Sequence, residues 1–233
     1  MSLVLPAPRT VELPVGGSGD SFPVHRIYCV GRNYVEHAVE MGYTGREPPF
    51  FFLKPADAAV PASEGETLRL AYPSLTKNLH HEVELVVAIG RGGRDIPAAR
   101  ADEHIWGYAV GLDMTRRDLQ ADMKKQGRPW CIGKAFDDSA PIGPIVPKAA
   151  CAIGPHTGIV LAVNGTVRQK SEIGKLIWSV AEIIEHLSTA WALAPGDLIF
   201  TGTPEGVGAV GVGDLLEAGI DGVGTLAVEY VTH

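Results

Sequence analysis

Three carboxylates occupy positions where charge is hard to keep. Along Glu82-Val83-Glu84-Leu85-Val86-Val87-Ala88-Ile89, alternate residues of a strand point to opposite faces, so Glu82 and Glu84 share a face with Val86 and Ala88 behind them. The other face, Val83, Leu85, Val87 and Ile89, is wholly apolar. Two like charges at the mouth of a strand buried on both faces repel and resist desolvation unless a cation lies between them. A second apolar run, Ile105 to Leu112, ends in Asp113 and brings a third carboxylate to a strand end. All-oxygen donors with room for water and substrate oxygens suit Mg²⁺ or Mn²⁺ better than zinc. Taken singly, Glu82 and Glu84 equally suit a solvated strand end, and Asp113 a turn or a helix cap. His80 and His81 read as supporting or surface groups.

His37 and Glu40, three apart in the stretch Asn33 to Met41, lie on one face of a short helix, where the carboxylate can orient the imidazole as a base for water. An ordinary surface ion pair has the same spacing. Asn33 is placed to cap that helix, with Glu36 at the capping-box position. Downstream of Asp113, Thr115 to Gln126 reads as a helix capped by Thr115 and stopped by Gly127. Arg116 and Arg117 sit badly at its N-terminus, where the macrodipole is already positive. Beside three carboxylates they suggest an anion site, unless Asp113 or Asp118 neutralises them. Thr201-Gly202-Thr203-Pro204 offers hydroxyls and backbone amides at a strand end, suited to a carboxylate.

Short strands must position these groups. Gly (28) and Pro (17) are plentiful and helical stretches few, which predicts a β-rich α+β domain. Residues 1–25 read as an N-terminal arm or small hairpin, and 26–233 as a single catalytic domain. Asn164-Gly165 between apolar runs predicts a type I′ hairpin, Ser179 to Glu182 a capping box, and Phe50 to Leu53 and Leu215 to Val231 further strands. Gly206-Val207-Gly208-Ala209-Val210-Gly211 matches a dinucleotide fingerprint, but Val212-Gly213-Asp214 turns where a helix should open, so nucleotide binding is rejected. A formal charge of −7 argues against nucleic acid. With neither a signal-like nor a membrane-spanning apolar run, the expected place is the cytoplasm. Cys29, Cys131 and Cys151 read as reduced thiols, mostly buried.

Taken together, Val30-Gly31-Arg32-Asn33-Tyr34 with His37 and Glu40, Phe52-Leu53-Lys54-Pro55, Asn78 to Leu85, Gly111 to Asp118, Gly133-Lys134-Ala135-Phe136 and Thr201 to Gly208 resemble the fumarylacetoacetate hydrolase family over nearly the whole chain. That resemblance implies a mixed β-roll with a few short helices, a homodimer, and one Mg²⁺ or Mn²⁺ per subunit on Glu82, Glu84 and Asp113. It implies His37 and Glu40 as the water-activating pair on a lid helix, Lys134 as the oxyanion partner, and Arg32, Arg116, Arg117, Gln120 and Thr203 beside the substrate. Within the family, the compact length and the run Glu47 to Phe52 are most similar to enzymes that hydrolyse fumarylpyruvate to fumarate and pyruvate in gentisate breakdown.

The partner would then be a small dicarbonyl acid, its pyruvate part leaving as a metal-stabilised enolate. Acylpyruvate hydrolysis, oxaloacetate decarboxylation and isomerisation of 2-hydroxyhepta-2,4-diene-1,7-dioate use the same intermediate, and a metal-stabilised binding protein is the reading from another class. A distal carboxylate needs its own cation; of Arg116, Lys54 and Arg128, Arg116 is preferred because it lies off the helix face of Arg117.

Overall fold

The computed structural model describes residues 3–35 and 46–232. It is a strand-rich α+β fold in which a curled, mixed eight-stranded sheet packs against a five-stranded one. The larger sheet runs Phe50–Lys54, Ile27–Gly31, Leu198–Phe200, Val83–Ile89, Ile105–Leu112, Ala140–Ile142, Ala59–Pro61, with Val146–Pro147 also paired to Ile105–Leu112. The smaller runs Thr166–Glu172, Gly158–Val163, Leu215–Ile220, Gly224–Val231, Thr67–Ala71.

Strand Val83–Ile89 is central because both its faces are apolar, and every residue in it is buried. Val83, Leu85, Val87 and Ile89 join the core between the sheets with Leu161, Leu216 and Val228. Val86 and Ala88 pack with Cys29, Ala109 and Phe200 in a second core on the opposite face. Each fully buried Val, Leu or Ile contributes about 1.5–3 kcal/mol, enough to hold a strand whose leading end is charged. The second core is closed by a hairpin, Glu12–Pro14 against Ser21–Pro23, which buries Leu13 and Phe22 beside Trp106.

Asn164 and Gly165 both have positive φ, 51° and 74°, as a type I′ turn requires, and join Gly158–Val163 to Thr166–Glu172. Ser179 and Glu182 form the reciprocal capping box of helix Val180–Ala190. Gly208–Val210 is a strand, so the glycine-rich stretch carries no helix N-terminus for a phosphate. Among the described residues no helix is long and apolar enough to cross a membrane.

Two expectations change, and the helix expected from Asn33 to Met41, with Glu36, lies beyond Val35 outside the described residues. Thr115 is not a helix cap: Thr115–Arg116 pairs with Leu79–His81, the Thr115 hydroxyl donates to the Asp113 carbonyl, and the helix is Arg117–Lys125. Asn33 uses its side chain across the fold: its amide donates to the carbonyls of Trp178 (2.9 Å) and Thr201 (2.8 Å), and its Oδ1 accepts from the Trp178 N–H. Of the three thiols only Cys29 is buried; Cys151 is half-buried and Cys131 exposed.

Candidate metal centre and active site

Glu82, Glu84 and Asp113 converge because their strands are neighbours. Glu84 lies opposite Gly111 in the antiparallel pair, and the Asp113 N–H donates to the Glu82 carbonyl at 2.9 Å as the pair ends. One oxygen of each carboxylate falls within 4.8 Å of the other two, and all three residues are buried.

Cations of the chain compensate this charge. Lys134 Nζ lies 2.8 Å from Glu82 Oε2 and 2.6 Å from Asp113 Oδ2, while Lys54 Nζ lies 2.8 Å from Asp113 Oδ1. The Arg117 guanidinium pairs with Glu82 Oε1 and donates to Gln120 Oε1 at 2.6 Å. Three carboxylates thus face three cations. Burial alone would depress the Lys134 ammonium, yet the adjoining Asp113 and Glu82 hold its pKa above the ordinary value. Glu84 has no cation paired to it alone among the described residues: burial, with Asp113 and Glu82 adding repulsion, pushes its carboxyl well above the usual range. The Lys134 charge and the Gly202 N–H, 2.6 Å from Oε2, oppose that rise. Gly202 can present that N–H because it sits at φ 103°, where a Cβ would lie 2.7 Å from the Asn33 Cβ.

The donor set fits a divalent cation. The three carboxylates offer only oxygen, and an ammonium already stands between two of them, where positive charge is best stabilised. About 40 Å³ is free among these groups, room for an ion and a little water.

Further side chains hold the carboxylates in place. Gln169, fully buried in a strand otherwise mostly exposed, accepts from His81 Nδ1 (2.9 Å) and the Val83 N–H (3.1 Å) and donates to Thr203 Oγ1 and the Pro204 carbonyl (2.8 Å each). It therefore fixes the backbone between Glu82 and Glu84. Burial, then the Arg117 charge, lowers His80 to about 4, so its ring is neutral; Nδ1 accepts from Arg117 Nε and Nε2 donates to Asn78 Oδ1. Both histidines support the site, as the sequence suggests.

The remaining expected site residues divide into three groups. Arg32, Arg117, Gln120, Lys134 and Thr203 line the cavity over the carboxylates. Arg116 points elsewhere, stacked 4.2 Å over Phe136 with a long contact to the Ile132 carbonyl. His37 and Glu40 lie outside the described residues. The anion beside Arg117 is the chain's own Glu82, whereas Asp118 accepts from the Thr76 hydroxyl and the Lys77 N–H. The loop amide of Gly202 likewise holds Glu84. Lys54, one of three cations that the sequence offers for the far end of a substrate, is buried against Asp113. Its alternation with Phe50 and Phe52 along one strand was the available signal, since Lys54 must then face the same side as those rings. Gln169 and Asn33 carried no comparable signal.

Several proteins similar to this chain are named as enzymes. A fumarylpyruvate hydrolase from Pseudomonas aeruginosa, solved in complex with Mn²⁺ and pyruvate, is 58% identical, with a TM-score of 0.97 and 100% of both chains covered. A 5-carboxymethyl-2-hydroxymuconate delta-isomerase from Mycobacterium smegmatis is 36% identical with a TM-score of 0.77, covering 93% of this chain and 86% of that one. The mitochondrial oxaloacetate tautomerase FAHD1 of Rattus norvegicus is 47% identical over 198 residues, 84% of this chain and 87% of that protein. The family described as fumarylacetoacetate (FAA) hydrolase C-terminal matches residues 26–231. With its carboxylate centre in the part that matches, the chain belongs to the fumarylacetoacetate hydrolase family.

Proposed function

We propose that the protein hydrolyses fumarylpyruvate to fumarate and pyruvate, the carbon-carbon cleavage step of gentisate breakdown. The observation that carries this reading is the full-length similarity, at 58% identity, to a fumarylpyruvate hydrolase holding Mn²⁺ and pyruvate. The charge balance supports it: with three carboxylates offset by Lys54, Lys134 and Arg117, a divalent cation leaves the site net positive, suited to an anionic 2-oxo acid.

Bound on Glu82, Glu84 and Asp113, Mg²⁺ or Mn²⁺ would supply Lewis-acid polarisation of the oxygens at the 2-oxo acid end. Arg117 and Gln120 orient the substrate carboxylate from the first turn of helix Arg117–Lys125. The Thr203 hydroxyl already donates to the Val83 carbonyl and accepts from Gln169, which leaves the Thr203 backbone N–H to meet the substrate. His37, oriented by Glu40, takes a proton from water as the oxygen attacks the 4-oxo carbon, and the Lys134 ammonium stabilises the oxyanion that develops. Cleavage of the bond between C3 and C4 releases fumarate, and the pyruvate enolate takes up a proton at C3.

The test is pyruvate release from fumarylpyruvate by chelated enzyme and by enzyme resupplied with Mg²⁺ or Mn²⁺. Metal-dependent release is expected, and replacing His37 with Ala should lower it by about 10²–10⁴-fold while metal affinity stays as in the parent. No release with either metal would refute the assignment. The 47% identity to an oxaloacetate tautomerase supports a second reading, enol-keto exchange of oxaloacetate at the same centre. It predicts faster decay of enol-oxaloacetate absorbance than cleavage of any acylpyruvate. Stabilisation by metal without turnover of either substrate would instead indicate a binding protein.

A further inference from the structure

The carboxylate cavity opens into a second, larger one of about 500 Å³. Arg32, Phe50, Phe52, Trp130 and Lys134 line both, so the two are continuous. On strand Phe50–Lys54, the residues Lys54, Phe52 and Phe50 share a face and lead outward from Asp113. Phe52 to Phe50 spans roughly 7 Å at the usual rise of a strand. Trp130 closes the slot opposite, its ring 6.0 Å from Phe52 and edge-on to Phe50 at 5.4 Å.

The outer cavity has cations and no acid among its described lining residues. The acids lie at the floor with the cations that offset them, whereas the outer cavity carries Arg32, whose guanidinium sits 5.1 Å over Phe50, and Arg128 at the mouth. Arg128 is exposed, its backbone N–H is tied to the Met123 carbonyl, and its guanidinium forms no ion pair among the described residues. Arg116 lines neither cavity.

We propose that the aromatic slot formed by Phe50, Phe52 and Trp130 is the subsite for the acyl arm of the substrate, and that Arg128 at its mouth binds a carboxylate at the far end of that arm. The occupant is a planar, unsaturated acyl chain ending in a carboxylate. Flat rings accept a conjugated chain edge-on or stacked, and a guanidinium at the mouth holds a carboxylate bidentately. This assignment rests on the hydrolase reading above for the orientation of the substrate, with its 2-oxo acid end on the metal. It replaces Arg116 by Arg128 as the group that selects a dianion.

The test compares Arg128→Ala with the parent enzyme, both loaded with Mn²⁺. For turnover, kcat/KM for fumarylpyruvate should fall roughly tenfold to a hundredfold, while that for acetylpyruvate, which lacks the second carboxylate, stays within about threefold. For binding, fumarate should bind the parent more tightly than crotonate, and Arg128→Ala should abolish that preference without weakening crotonate. Equal losses on both substrates, no loss on fumarylpyruvate, or loss of discrimination in Arg116→Ala with Arg128→Ala unaffected would each overturn the proposal. If the parent turns over neither substrate, the hydrolase reading fails; the fumarate preference and its loss in Arg128→Ala then decide the subsite by themselves.

Discussion

The Lys54 ammonium stands 2.8 Å from Asp113 Oδ1, on the oxygen opposite the one that Lys134 holds. Both amines are buried, and Lys54 also donates to the carbonyls of Met114 and Lys134. Asp113 is therefore clamped from two sides by the chain itself.

Replacing Lys54 with Met should destabilise the chelated protein by about 3–5 kcal/mol, because a buried carboxylate loses one of two partners. Saturating Mn²⁺ should recover part of that loss. Urea unfolding in chelator and in Mn²⁺ measures both, and an equal deficit under the two conditions would count against Asp113 as a ligand.

Glu84→Gln should separate metal binding from folding. The substitution removes one of three mutually repelling charges and keeps an oxygen to accept the Gly202 N–H. Mn²⁺ should bind roughly a hundredfold more weakly, with unfolding in chelator unchanged or shifted to higher urea. Calorimetric titration and an unfolding curve suffice.

The capping box predicts a dependence on pH remote from the metal. The Ser179 hydroxyl, then the Ser179 N–H and Arg46, lower Glu182 to about 2 from its ordinary 4.5. A depressed carboxyl stabilises the fold fully above pH 4.5 and loses that contribution as pH falls towards 2. Ser179→Ala should cost about 1 kcal/mol near neutrality, with the gap to the parent narrowing below pH 4. A gap constant across the acid range would exclude the Glu182 carboxylate as its source.

Gln169→Leu should leave His81 Nδ1 and the Val83 N–H buried without a partner, at about 1–3 kcal/mol each. The backbone between Glu82 and Glu84 would then loosen, so kcat should fall and the Mn²⁺ Kd rise together. Gln169→Glu keeps the acceptor but not the donor to Thr203 and Pro204, and should give an intermediate defect. A loss of stability with unchanged kcat and Kd would reduce Gln169 to a structural role.

The carboxylate trio was legible in the sequence because strand alternation alone puts Glu82 and Glu84 on one side of a doubly buried strand. The Asn164-Gly165 turn and the Ser179 cap were legible for the same reason, each being a local pattern with one physical solution. Thr115 misled because a capping residue and a strand residue before a helix have the same type; the pairing with His80 is a tertiary contact. The partners of the charges were hidden likewise. Lys54 lies 59 residues before Asp113, and Gln169 looks like any polar residue in an exposed strand.

Gln169 owes its inward direction to a slip in the hairpin. Counting back from the Asn164-Gly165 turn, Thr166 faces Val163 and Val167 faces Ala162, but the pairing then shifts so that Gln169, not Arg168, opposes buried Leu161. The displaced Arg168 carbonyl comes within 2.0 Å of where a Cβ on Gly206 would stand, so only glycine leaves it space. A two-residue turn and one irregular step thus act as a ruler that decides whether an amide or a guanidinium is delivered to the backbone between Glu82 and Glu84. Shortening or lengthening that hairpin by one residue would rewrite the charge of the carboxylate centre without touching a single residue in it.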